Sequence, residues 1–214
     1  MASVSNAAPA KRLGRAPRLA PEERREQLMA CALRVFARRG IGAARHAEIA
    51  AEAGVAVPTV FAYFQNREAL VHEVLSDVDR YLSDMVWTAA GEGETVFEKL
   101  LSVVRAFAER VESDPDRMKI WLNWSTAMRD EVWPLYEDLQ RRVIVHFVEL
   151  IRTGQKQGEV EPAVNPEVAA YMVVGGGHMI AQMKFTGRAP ADVEEYLETL
   201  VLGALHPRSG VKNA

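Results

Sequence analysis

A single cysteine, Cys31, in 214 residues leaves no partner for an internal disulfide, and such a chain suits a reducing compartment. Cys31 falls on the apolar side of a predicted helix, so it is expected to be buried packing, not a nucleophile. No run is apolar and long enough to cross a bilayer. The longest weakly polar stretch, 169–181, falls short of the roughly 20 residues needed and contains His178. The first ten residues carry neither charge nor an apolar core, so no signal peptide is expected and the chain is read as cytoplasmic, with no membrane partner.

Catalytic patterns are equally scarce. His46, His72, His146, His178 and His206 never form a His-Glu-x-x-His pair, and there is no Gly-x-Ser-x-Gly elbow or Gly-Lys-Ser/Thr phosphate loop. The expectation is therefore no catalytic residues, no metal and no cofactor. His146 and Glu149 are read as an exposed polar pair on a helix. No segment alternates with period two, and no internal repeat is present. What remains is an all-α chain with 49% hydrophobic and 26% charged residues, long enough to bury a core.

The charge that is present is uneven. Residues 11–45 hold ten Lys and Arg against three Glu, a net +7. The chain total is −3 and residues 1–10 are uncharged, so residues 46–214 carry −10. A basic segment on an acidic body points to a polyanionic partner at one end. Residues 1–20 read as a flexible basic arm in which Arg12, Arg15 and Arg18 recur every third residue, a form able to lie in a DNA minor groove.

Residues 21–40 predict a helix opened by Pro21 and ended by Gly40, with Leu28, Cys31, Ala32, Val35 and Phe36 as its apolar stripe. Residues 46–64 predict two short helices with a tight turn. Gly54 supplies the left-handed residue that ends the first, and Pro58 sits in the first turn of the second. Val60, Phe61 and Phe64 form an apolar side, leaving Thr59, Ala62 and Tyr63 near the opposite face. These residues alone fit either a plain helical hairpin or a unit that fits a major groove, which is wide enough for one helix.

Asn66 caps a long helix whose apolar period runs from Leu70 to Val86. Further helices are predicted over 95–112, from Pro115, to about Gln157, from Asn165-Pro166 to about Thr186, and over 190–205. Trp121, Trp124, Trp133 and Met128 form an aromatic cluster with Leu82 and Met85 opposite, readable as core or as a pocket wall between helices. Gly175-Gly176-Gly177 would each cost a helix about 1 kcal/mol relative to alanine. A subunit interface, a tight core or a pocket wall would offset that.

Phe36-Ala37-Arg38-Arg39-Gly40, Ile49-Ala50 to Ala53-Gly54-Val55, and Tyr63-Phe64 to Arg67-Glu68-Ala69-Leu70 resemble the TetR-type transcriptional regulators. His46-Ala47-Glu48-Ile49-Ala50, Thr59-Val60-Phe61, Trp124-Ser125 and Arg129-Asp130-Glu131-Val132-Trp133-Pro134-Leu135 are similar to its LuxR/HapR-type quorum-sensing branch. The resemblance implies a homodimer that binds a double-stranded DNA operator and associates with the nucleoid through it. It implies a three-helix helix-turn-helix domain over 21–66, a larger helical ligand and dimerisation domain over 67–206, and a tail over 207–214. It implies DNA contacts at His46, Pro58, Thr59, Phe61, Ala62 and Tyr63 beside Arg12, Arg15 and Arg18. A pocket for a small apolar effector falls at Leu82, Met85, Trp121 and Trp124, facing Ile144, Gly177 and His178. The chain departs from that branch at Ala62, where Asn is usual, at Ile144, where a polar amide is usual, and at Gly177 and His178, which replace bulkier residues. The competing class is a helical-bundle binding protein or adaptor that does not bind DNA.

Overall fold

A computed structural model describes residues 19–127 and 131–206. Every regular element among them is helical: α1 (Pro21–Arg39), α2 (His46–Ala53), α3 (Val57–Tyr63), α4 (Arg67–Ala90), α5 (Val96–Ser113), α6 (Pro115–Trp124), α7 (Trp133–Gln157), α8 (Pro166–Phe185) and α9 (Pro190–Leu205). Arg12, Arg15, Arg18, Met128, Arg129, Asp130 and the tail beyond His206 lie outside the described residues.

The helix ends follow local chemistry. Gly54 takes a left-handed conformation (φ 66°, ψ 33°) that only glycine adopts without penalty, and this turns the chain between α2 and α3. Asn66 accepts the Ala69 N–H at 2.7 Å, Asn165 accepts from Glu167 and Val168, and Asp114 accepts from Arg117. Thr95 and Glu98 cap α5 reciprocally, the Thr95 hydroxyl accepting the Glu98 N–H while the Glu98 carboxylate accepts the Thr95 N–H. Those bonds hold the Glu98 carboxyl below the usual carboxylate range.

Helices α1–α3 form a small head around Leu28, Phe36, Ile49, Val60 and Phe64, all buried. The apolar stripe of α4 continues that core: Leu70, Val74 and Leu75 are fully buried near its start, and Leu82, Met85 and Val86 carry burial into the body. There α5, α7, α8 and α9 pack around one another, and α6 lies across α1. The three consecutive glycines of α8 do three different things. Gly176 lets α9 approach, since a Cβ there would stand 2.2 Å from Leu200 Cδ2. Gly177 faces Phe107 and Trp121 at ordinary contact distance, and Gly175 has open space before it.

Two expectations are corrected. Phe61 does not join the apolar side of α3; it is 44% exposed, because it follows Val60 by one residue and is rotated about 100° from it. His146 does not pair with Glu149, which pairs with Arg152. Its ring packs edge-on against Trp87 with centroids 4.7 Å apart, and burial pushes its pKa below the usual histidine range.

Candidate nucleic-acid interface and the apolar cavity

The outward face of α3 is made of Val57, Pro58, Phe61 and Ala62, while Thr59 and Tyr63 are half-buried beside it. Behind α3 stands His46, the first residue of α2. It is buried, and its Nε2 donates to the Phe64 carbonyl at 3.0 Å. A carbonyl only accepts, so Nε2 carries a proton. The imidazole lies parallel to the Phe61 ring with centroids 4.2 Å apart and planes within 3°. His46 thus stands behind the outward face of α3, buried and stacked under Phe61. The sequence signal was thin, since the two residues are fifteen positions apart and belong to different helices.

The basic surplus of residues 11–45 is partly neutralised within the head and by α4. Arg34 and Arg38 both pair with Glu52, Arg39 with Glu48, and Arg25 with Glu73. Hydrogen bonds from Arg38 and Arg34 hold the Glu52 carboxyl below the usual range. Arg45 and Arg67 donate to main-chain carbonyls of the loop between α1 and α2, Arg67 reaching Ile41 O and Gly42 O at 2.7 and 2.8 Å. On the other side of that loop, Asn123 Oδ1 of α6 accepts the Ile41 N–H at 3.0 Å.

An apolar cavity of about 80 Å³ lies in the body between α4, α5, α6, α7 and α8. Leu82, Met85, Trp121 and Gly177 line it. Among the described residues no charged side chain lines it, and Gln140, the Tyr136 phenol and the Trp121 indole are the polar-bearing side chains there. Burial pushes the Tyr136 phenol up to about 12, against a hydrogen bond to Ser125 that lowers it, so it stays neutral.

The other three expected pocket residues lie elsewhere. Trp124 is core: it is buried, packs edge-on against Tyr136 and donates its indole N–H to the Val132 carbonyl at 3.0 Å. Ile144 faces an outer groove between α7 and α8 with Val145, Val148 and Tyr171. His178 stands behind the wall, 4.7 Å from the Trp121 ring, its Nε2 2.8 Å from Ser125 Oγ. Helical period selects apolar faces but does not say which apolar residue meets the cavity and which meets the core behind it.

A three-helix head whose short third helix projects outward from a helical body defines a helix-turn-helix DNA-binding regulator of transcription. The family profile described as bacterial regulatory proteins, tetR family, matches residues 28–74, and the one described as tetracyclin repressor-like, C-terminal domain, matches 93–182. The HTH-type transcriptional regulator LuxR of Vibrio harveyi is 42% identical over 149 residues, which cover 68% of this chain and 73% of that protein. The HTH-type transcriptional repressor KstR2 of Mycolicibacterium smegmatis is 23% identical over 199 residues, covering 91% and 96%. The chain belongs to the TetR family of transcriptional regulators.

Solved structures agree on the fold. A TetR-like regulator from Rhodococcus sp. RHA1 superposes with a TM-score of 0.73 at 22% identity, covering 88% of this chain and 98% of that one. The regulator FadR of Bacillus subtilis, solved in complex with stearoyl-CoA, gives 0.69 at 21% identity, covering 83% and 98%. Among the described residues no helix is long and apolar enough to cross a membrane, and no group of His, Cys, Asp and Glu is arranged to hold a metal ion.

Proposed function

We propose that the chain is a homodimeric, quorum-sensing-related regulator of the LuxR/HapR kind, whose body cavity takes a small uncharged effector that alters operator affinity. The carrying observation is the placement of Trp121 and Asn123 on α6. They are two residues apart, hence about 200° apart around the helix. Trp121 walls the cavity, and Asn123 holds the loop that joins α1 to α2. A ligand pressing on one side of α6 is therefore one helix away from the head. It shifts the head only by binding one arrangement better than the other.

The cavity argues for effector class. Its volume lies well below the roughly 300–1,000 Å³ of drug-sized sites, so a small ring or short chain fits and a long acyl chain does not. With no charged side chain among the described lining residues, an ionic group would enter without compensation for its lost hydration. This argues against a CoA ester such as FadR holds.

A dimer is supported by the outer face of α8. Val168, Tyr171, Gly175 and Met179 recur there at i, i+3, i+7 and i+11, with Val168, Tyr171 and Met179 at 54%, 60% and 45% exposure. A contiguous exposed apolar face marks an interaction site, and Gly175 within it lets a second backbone come close. Two heads related by a two-fold axis would meet half-sites about 34 Å apart, one helical turn of DNA.

The test is Gly177→Leu, which fills the cavity from its own wall. Operator affinity should shift several-fold in a protein whose melting temperature is kept. Unchanged affinity in a folded variant would remove the cavity from the regulatory account.

A further inference from the structure

We propose that α3 reads its operator mainly through thymine methyl groups, with Phe61 as the reading side chain and His46 as the residue that fixes its orientation. This rests on the DNA-binding reading of the head and adds what the head reads.

Val57, Pro58, Phe61 and Ala62 are exposed, and none carries a side-chain donor or acceptor for a base edge. Several nearby groups able to make such bonds are engaged, the exposed Gln65 amide beyond the end of α3 excepted. Arg67 donates to Ile41 O and Gly42 O, Arg45 to Gly42 O and Ala44 O, and Asn66 Oδ1 accepts from Ala69 N. Thr59 and Tyr63 are half-buried at the flanks. A major-groove surface built this way distinguishes bases chiefly by the one apolar group displayed there, the C5 methyl of thymine, which phenylalanine and alanine side chains contact.

A large exposed aromatic ring on a short helix would ordinarily sample several rotamers, and binding would have to freeze them. Here the inner face of Phe61 lies flat on His46 at 4.2 Å. His46 is held in turn by its bond to the Phe64 carbonyl, at the end of the same helix. The ring is set before DNA arrives, so its outer face and edge meet the groove in one orientation.

The experiment starts from a duplex selected by the full-length protein out of a randomised pool. Each thymine in a half-site is then replaced by deoxyuridine, which removes only the methyl group, and affinity is read by fluorescence anisotropy. At one or more thymines per half-site the replacement should weaken binding about 4-fold, and about 15-fold when made in both half-sites, the loss expected for one buried carbon each. Phe61→Ala, at an exposed position that leaves the core alone, should lose this uracil penalty at its thymine. His46→Gln keeps a donor for the Phe64 carbonyl but removes the stacked ring. It should reduce the penalty while its melting temperature stays close to the parent. A His46→Gln protein with the full penalty would end the positioning role of His46.

Selective binding with no uracil penalty anywhere, or a penalty undiminished in Phe61→Ala, would overturn methyl reading and leave the DNA-binding reading standing. Failure to select any duplex would overturn both.

Discussion

Asn123 Oδ1 accepts the Ile41 N–H at 3.0 Å across a sequence separation of 82 residues, tying the cavity helix α6 to the loop behind the head. Gly40 gives that bond its room: its φ is +77°, and a Cβ there would sit 3.3 Å from the same oxygen. Asn123→Ala leaves the N–H of a buried residue without its partner, a loss of about 1 kcal/mol. The melting temperature should fall by a few degrees. In Asn123→Ala combined with Gly177→Leu, the affinity shift caused by filling the cavity should shrink. A full shift in the double variant would show that the signal travels by another route.

Glycine packing gives a second prediction. A Cβ at Gly154 would stand 2.5 Å from Val96 Cγ2 and 3.0 Å from Val160 Cγ2, both on buried valines with stiff side chains. Gly154→Ala should therefore cost about 1–3 kcal/mol through overpacking. Gly177→Ala meets its nearest neighbours, Phe107 and Trp121, at 3.7 Å or more. It should hold or gain up to about 1 kcal/mol from helix propensity. Chemical denaturation of the two variants compares them directly, and equal effects would contradict the packing described for α7 and α8.

Acid sensitivity near neutrality should come from two histidines. Burial pushes His178 and His146 below the usual histidine range, and at His178 a hydrogen bond with the Gly175 backbone works partly against it. Each binds its proton more readily in the unfolded chain than in the folded one. Their contribution is thus fully present above the unfolded value of about 6.5 and is lost as pH falls below it, toward the folded-state value. Melting temperature should drop between pH 7.5 and 5.5. The slope should flatten in a His146→Leu, His178→Gln double variant, and an unchanged slope would assign the effect to other groups.

How far these features could be read in the sequence follows from the range of the interactions involved. Gly54, Pro58, Asn66 and Asn165 act within a turn of their own position, so residue type and spacing sufficed for the boundaries of α2, α3, α4 and α8. The stripe from Leu70 to Val86 was equally legible, because burial there repeats with the helical period. The site was less so. His46 looks like a surface contact until Phe61 and Phe64 fold against it. Ile144 and Phe147 stand three apart on α7, yet one faces an outer groove and the other the cavity. The pairing of Arg34 and Arg38 with Glu52 likewise depends on how α1 crosses α2, which no local rule specifies.

The α8 face makes the dimer testable. A leucine at Gly175, where a Cβ meets nothing within the subunit, should leave the fold intact but obstruct a second backbone. Sedimentation velocity should show a dimer for the parent and a shift toward monomer for Gly175→Leu, with weaker operator binding. A Gly175→Leu protein that dimerises as tightly as the parent would place the interface elsewhere.

The most direct test of the whole account is an anisotropy titration of the full chain against a selected inverted-repeat duplex and a scrambled one, over a series of salt concentrations. Two chains should bind each duplex, with a preference of about 10³-fold or more for the selected sequence and an affinity that falls steeply with salt. Replacing Arg12, Arg15 and Arg18 by alanine should lower the salt slope by about 3 per protomer. Equal affinity for both duplexes, or binding indifferent to salt, would contradict it.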